Sequence, residues 1–108
     1  MRLPNLQNAF IEESKLTNYL LSEEYSGGKA GSFAAFGFSI VDWEKLRDAL
    51  LQHAEDNKVV RISETLHGVK YIIEGNIITP DDRSPLIRAI WIVDAGQDKP
   101  RLVTQLIR

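Results

Sequence analysis

The chain is expected to be an α+β domain, with three N-terminal helices followed by a four-stranded antiparallel β-meander packed against the longest helix. Three observations lead there. Residues up to about Asn57 carry helical spacing, whereas residues from Val59 onward carry strand alternation. Lys58 marks the junction. The connectors between the strand-like runs are far shorter than the dozen or more residues of a parallel crossover, so neighbouring strands must run antiparallel. Helices segregated ahead of strands give the α+β layer arrangement rather than alternating βαβ units.

The first helix is expected from Glu12 to Leu21, where Leu16, Tyr19 and Leu20 share a face and acidic residues stand at the favoured end of the helix dipole. Ser22 to Gly28 reads as a turn. A short second helix is expected from Lys29 to Phe36, closed by Gly37 as a left-handed cap. The third helix is the clearest. Asp42 is a suitable N-cap, Trp43, Leu46, Leu50, Leu51 and Ala54 recur on one face, and Asn57 stops it. Lys45, Arg47, Asp48, Gln52 and Glu55 lie mostly away from that face. His53, near the last turn, reads as a surface histidine favoured by the dipole.

Four strands follow, at Val59–Thr65, Val69–Thr79, Pro85–Asp94 and Arg101–Ile107, joined by short turn-rich connectors. Leu86 to Val93 is apolar on nearly both faces, as a central strand would be. The connector Pro80-Asp81-Asp82-Arg83-Ser84 reads as a solvated hairpin tip. Its paired aspartates lack the further spaced oxygens that calcium or magnesium needs.

A length of 108 residues suits one domain, residues 1–108, with one core and no staples. The absence of cysteine excludes disulfides, thiolate metal sites and a cysteine nucleophile. Only His53 and His67 are present, too few for a histidine zinc triad, and no metal or cofactor is expected. No apolar run approaches a membrane span, and Met1-Arg2-Leu3-Pro4-Asn5 does not read as a secretory signal, so the cytoplasm is the default expectation. A net charge of −2 supplies no global field for nucleic acid, so RNA binding would need a local basic patch.

Chemistry is most concentrated on the strands. Alternation along the second strand puts Lys70, Ile72, Glu74 and Asn76 on one face and Val69, Tyr71, Ile73 and Gly75 on the other. Arg88 lies among apolar neighbours on the third strand, His67 at the first hairpin, and Arg101 and Thr104 on the last strand. If the polar faces coincide, His67, Lys70, Glu74 and Arg88 gather on one side of the sheet, offering a base, an acid and cations for a developing phosphorane charge. Charged cross-strand pairs also decorate solvated sheet faces with no catalytic role. Gly27-Gly28-Lys29-Ala30 is not a phosphate loop, because it lacks the first glycine and the preceding strand. It reads as a turn, with anion binding by Lys29 and a helix N-terminus as the alternative.

Several phrases, taken in order, resemble a bacterial family, the domain of unknown function 6883. They are Lys15-Leu16-Thr17-Asn18-Tyr19-Leu20-Leu21, Gly28-Lys29-Ala30 with Phe33, Gly37-Phe38-Ser39, and Trp43 with Leu46. Gly68-Val69-Lys70-Tyr71, Glu74-Gly75, Trp91-Ile92-Val93 and Pro100-Arg101-Leu102-Val103-Thr104 complete the set, which covers nearly the whole chain. The resemblance implies a small stand-alone protein or the C-terminal module of a larger, toxin-like chain. The order of helices then meander is also similar to the barnase and RelE group of ribonucleases and toxins. That likeness is one of fold, and fold alone transfers no activity. Lys29, Lys70, Arg101 and Thr104 match the family pattern, and Arg88 lies within a matching strand. Tyr25 stands where family members carry a histidine, and Gln105-Leu106-Ile107 replaces an alanine-tyrosine-proline ending.

Two functions follow as expectations. One is a toxin-like, metal-independent ribonuclease or an inactive relative, with RNA as substrate and a cognate inhibitor or larger toxin chain as partner. In it Glu74 or His67 serves as base or acid, Lys70 and Arg88 complete the catalytic group, and Lys29, Arg101 and Thr104 bind anions. The alternative is a non-catalytic module that binds a protein through its sheet face or edge.

Overall fold

The computed structural model describes residues 1–17 and 33–107, without the side chains of 34, 35 and 105–107. The α-helices among the described residues are α1 (Glu13–Lys15) and α2 (Trp43–Asp56). Strands β1 (Val59–Thr65), β2 (Gly68–Asn76), β3 (Leu86–Asp94) and β4 (Pro100–Ile107) form one antiparallel sheet in chain order. The meander is therefore as expected, and β3 is an inner strand. Among the described residues there is one long helix and one short one, where three helices were expected.

Tyr19, Leu20, the turn at 22–28, Tyr25 and Lys29 lie outside the described residues. The end of the expected second helix, Phe33–Phe36, is a 3-10 turn. Three residues per turn stack positions i and i+3, and so both Phe33 and Phe36 reach the interior, at 1% and 8% exposure. Phe38 meets Phe33 edge to face, with ring centroids 6.0 Å apart.

Helix α2 buries Leu46, Leu50 and Ala54 against Ile73, Ile87, Ala89, Trp91 and Leu102 of the sheet. Asp42 holds the N-cap position but makes no side-chain cap bond; its carboxylate lies 3.9 Å from Lys45 Nζ instead. The expectation for His53 fails, because its ring is 2% exposed and points at the sheet. Its Nε2 lies 3.1 Å from the Gly75 carbonyl, and Nδ1 has no partner among the described residues. Glycine at position 75 leaves room for the Asn57 amide beside this contact. A Cβ there would stand 2.0 Å from Asn57 Oδ1, and Asn57 in turn donates to the His53 carbonyl at 2.9 Å.

The buried ring has a measurable consequence. Burial lowers the His53 pKa below its ordinary 6.5, against the opposing pull of the Gly75 carbonyl and the Asp56 charge. The unfolded chain then takes up a proton near pH 6.5 while the folded chain does not, so stability should fall as the pH drops below that value. Urea unfolding between pH 7.5 and about pH 5 should show the loss. The slope should vanish in His53→Leu, whatever that variant's absolute stability.

The segment before α1 crosses the core side of the sheet as a strap. Val59 N–H donates to the Met1 carbonyl at 2.7 Å, beside β1. Further along, Phe10 forms a parallel bridge with Arg101 at β4, through Phe10 N–H to Pro100 O at 3.0 Å and Leu102 N–H to Phe10 O at 3.3 Å. Leu3 and Ile11 anchor the strap in the core.

Strand β2 ends at Asn76, short of the expected Thr79, because Ile77 and Thr79 turn inward and are buried. The following loop is solvent-exposed at residues 80–83, as expected, and is ordered by its own side chains. Thr79 Oγ1 donates to Asp81 Oδ1 at 2.7 Å and accepts from Ser84 N–H at 3.1 Å. Arg83 pairs with Asp81 and lies over the Phe36 ring, 4.3 Å from its centroid. Partial burial would raise the Asp81 pKa, but the hydrogen bonds from Thr79 and Arg83, with the Arg83 charge, hold it below the ordinary value.

Candidate functional site

The open face of the sheet, opposite α2, collects most of the polar residues singled out above. Directly paired residues of antiparallel strands share a face. Lys70 pairs with Ser63 and Ile92, Ile72 with Arg61 and Ile90, and Glu74 with Arg88. On β4, Arg101 pairs with Ile92 and Thr104 with Ile90. Lys70, Glu74, Arg88, Arg101 and Thr104 therefore lie on one face.

Two bulges bring in residues that simple alternation would lose. Arg101 and Thr104 are three positions apart and would occupy opposite faces of a regular strand. A register shift puts Val103 between them as an extra residue, and both then face outward. The Val103 carbonyl accepts a hydrogen bond from Lys15 Nζ at 2.7 Å, which ties α1 to the bulge. A second shift at Val60 turns Val59 to the core and Arg61 to the open face. Arg61 is not among the expected site residues, since the pattern of β1 alone does not reveal a bulge.

The face has two charged centres. Arg88 Nη2 donates to Glu74 Oε1 at 3.2 Å, and the two side chains are 35% and 30% exposed. Arg88 Nε is inaccessible and has no partner among the described residues. At the other end, Arg101 grips Asp94 with both arms, Nε to Oδ2 at 2.7 Å and Nη2 to Oδ1 at 3.0 Å. The hydrogen bonds from Arg101, reinforced by its charge, lower the Asp94 pKa against partial burial, and the same bonds raise that of Arg101. Lys70 lies on the Arg101 rung, four residues or about 13 Å along β2 from Glu74. Thr104 lies between the two centres.

His67 does not join Glu74. It sits exposed in the β1–β2 turn, seven residues or about 23 Å of strand away from Glu74. Its backbone N–H donates to Thr65 Oγ1 at 3.2 Å, and its carbonyl accepts from Ala95 N–H at 2.9 Å. His67 is thus at the Asp94–Arg101 end and too distant to share one reacting phosphate with Glu74.

Charge is unevenly distributed. Arg61, Lys70, Arg88 and Arg101 against Glu74 and Asp94 leave the open face with four positive and two negative side chains, a formal surplus of two, in a chain whose total is −2. A groove of about 480 Å³ adjoins the Arg101 end, lined by Asn8, Phe10, Asp94, Gln97 and Lys99. A second groove, of about 560 Å³, lies between the strap and α2, but its charged lining is Asp48 and Glu55, which repel a polyanion. Among the described residues no three histidine or acidic groups converge as metal ligands, and no helix is long and apolar enough to cross a membrane.

Residues 2–108 match the family described as Domain of unknown function (DUF6883). The chain belongs to that family. The fold of this DUF6883 domain is similar to that of a chain in the contact-dependent growth inhibition toxin–immunity protein complex from Klebsiella pneumoniae 342. The TM-score is 0.68 at 14% identity, over 95% of this chain and 96% of that one. At such low identity the likeness is one of fold. No curated protein matches the chain.

Proposed function

We propose that this DUF6883 domain is a toxin-type ribonuclease that cuts single-stranded RNA across its open sheet face, with Glu74 and Arg88 at the reacting phosphate. The observation carrying the reading is the Glu74–Arg88 pair, a carboxylate and a guanidinium 3.2 Å apart and part-exposed on a face with surplus positive charge. Similarity of fold to a chain from a toxin–immunity protein complex supports membership of such a pair.

Metal-free RNA cleavage uses the substrate's own 2′-hydroxyl. Glu74 takes the proton from that hydroxyl, and the 2′-oxygen forms a bond to the adjacent phosphorus. Arg88 binds the non-bridging oxygens, where negative charge grows in the phosphorane. The bond from phosphorus to the 5′-oxygen then breaks, and that oxygen takes a proton from water. A 2′,3′-cyclic phosphate and a 5′-hydroxyl result. Lys70, Arg101 and Thr104 bind flanking phosphates, with Arg61 beside them. Lys29 belongs to this anion-binding group on the family pattern alone. His67 serves at the far end of the face as a phosphate or base contact, since its distance from Glu74 excludes it as the partner acid.

The test is incubation of the purified chain with single-stranded RNA in a chelator, with the product ends mapped. Fragments ending in cyclic phosphate are expected. Intact RNA, or equal cleavage by Lys70→Ala and Glu74→Ala, would overturn the reading.

A second reading is favoured by one specific observation. Arg88 and Arg101 are both already engaged by carboxylates, as on a face built to meet a protein. In that case the chain binds a cognate partner through this face or the β1 edge, where Val60 and Ile62 are exposed. A stoichiometric complex with no RNA cleavage would be its signature.

A further inference from the structure

We infer that the groove beside β4 is a nucleobase subsite, in which Phe10 stacks on a base flanking the one at the cleavage point. This inference rests on the ribonuclease reading and deepens it.

Phe10 is unusual for an aromatic side chain in a small domain. It is 40% exposed, although its neighbours in the strap, Ala9 and Ile11, pack on or in the core. Exposure does not mean looseness, because the backbone is held on both sides by hydrogen bonds to Pro100 and Leu102. Asn5 fixes the turn opposite, its Nδ2 donating to the Asp98 carbonyl at 2.7 Å. An aromatic ring presented to solvent from a held backbone is a stacking platform, and base–aromatic stacking tolerates any base.

The remaining lining supplies what a base edge and its phosphate require. Gln97 has no side-chain hydrogen bond among the described residues, and Asn8 uses its amide nitrogen on Asn5 Oδ1 at 2.9 Å, leaving its carbonyl oxygen unpartnered there. One amide and one carbonyl oxygen can read a donor–acceptor edge. Lys99 forms no ion pair among the described residues and is available to a phosphate. The groove's volume, about 480 Å³, is of the size that takes a small ligand. Asp94 lines the groove and also holds Arg101 on the open face, so the groove meets the cationic face at that residue. The parallel bridge sets the backbones of Phe10 and Arg101 side by side, and Asp94 connects the groove to the Arg101 guanidinium.

The first experiment does not depend on cleavage. Nucleoside 5′-monophosphates are titrated into the protein and followed by NMR, with ribose 5-phosphate as the control. Upfield shifts of the Phe10 ring protons are expected with the nucleotides and not with the control. Equal shifts from both, or none at Phe10, would overturn the subsite.

The second experiment uses single-stranded RNA bound to Glu74→Gln, so that the substrate survives. Adding Phe10→Leu, which keeps an apolar side chain without a π-face, should weaken binding roughly 5- to 150-fold, and Phe10→Tyr should restore it. Replacing the stacked base by an abasic ribose should abolish the difference that Phe10→Leu makes. If the wild type cleaves RNA but Phe10→Leu binds it unchanged, the subsite falls and the nuclease stands. If nucleotides stack on Phe10 but no RNA is cleaved, the nuclease falls and a base-binding groove remains.

Discussion

Gly68→Ala should lower the unfolding free energy by about 3–5 kcal/mol. Gly68 opens β2 at φ +143°, a conformation that residues with a Cβ rarely adopt. Space is also missing. An added Cβ would stand 2.3 Å from the Val93 carbonyl oxygen and 2.8 Å from the Asp94 Cα, both backbone atoms of the neighbouring strand. A side chain could rotate away, but β3 cannot move without breaking the pairing of Gly68 with Asp94 and Val69 with Val93. Since a domain of this size is stable by about 5–15 kcal/mol, thermal unfolding should show a fall in Tm of roughly 10–20 °C or outright failure to fold. An unchanged Tm would mean that the first hairpin sits differently on β3. Because Asp94 carries Arg101, a variant that survives should also perturb that end of the open face.

Glu74→Gln should reduce RNA cleavage by about 10²- to 10⁴-fold in kcat while leaving Tm nearly unchanged. The amide keeps the shape and can still meet Arg88, but it cannot accept the 2′-hydroxyl proton. Stability should survive because a pair this exposed contributes about 0–1 kcal/mol. The contrast between a large kinetic and a small thermal effect separates a catalytic carboxylate from a merely structural one. Arg88→Ala should cost about 10²- to 10³-fold by removing the cation at the developing charge. Arg88→Lys should recover only part, since an ammonium cannot reproduce a planar fork. If RNA cleavage in chelator is unaffected by Glu74→Gln, the base lies elsewhere and the proposed centre is wrong.

Much of the architecture was legible from short-range patterns. Period-two alternation and connectors too short for crossovers suffice to order β1 to β4, and the apolar run at Leu86–Val93 suffices to place β3 inside the sheet. The spacing of Leu46, Leu50 and Ala54 likewise marks the buried side of α2. What was not legible in each case was a contact from outside the local pattern. His53 looks like a dipole-favoured surface residue until Gly75 and Asn57, from outside the helix, close around it. Asp81 is the exposed tip residue that the turn composition suggests, but its bonds to Thr79 and Arg83, beside the Phe33–Phe36 turn, come from the folded loop.

The polar site divides along the same line. Glu74 facing Lys70's side of β2 follows from alternation, a local steric rule. The partnership of Glu74 with Arg88 needs the register of two strands, which the loop between Asn76 and Leu86 does not specify by its composition. Arg101 and Thr104 share a face only through the bulge at Val103, and Arg61 joins them only through the one at Val60.

By itself, then, the order of residues determined the layer arrangement, the meander and the polar stripe of β2, because those depend on periodicities within one segment. Tertiary structure decided which cation meets which carboxylate, that His67 stands apart, and that Phe10 is held beside Arg101. Each of these joins segments between 7 and 91 residues apart, and a pairing over that distance is set by packing and strand register, not by local preference.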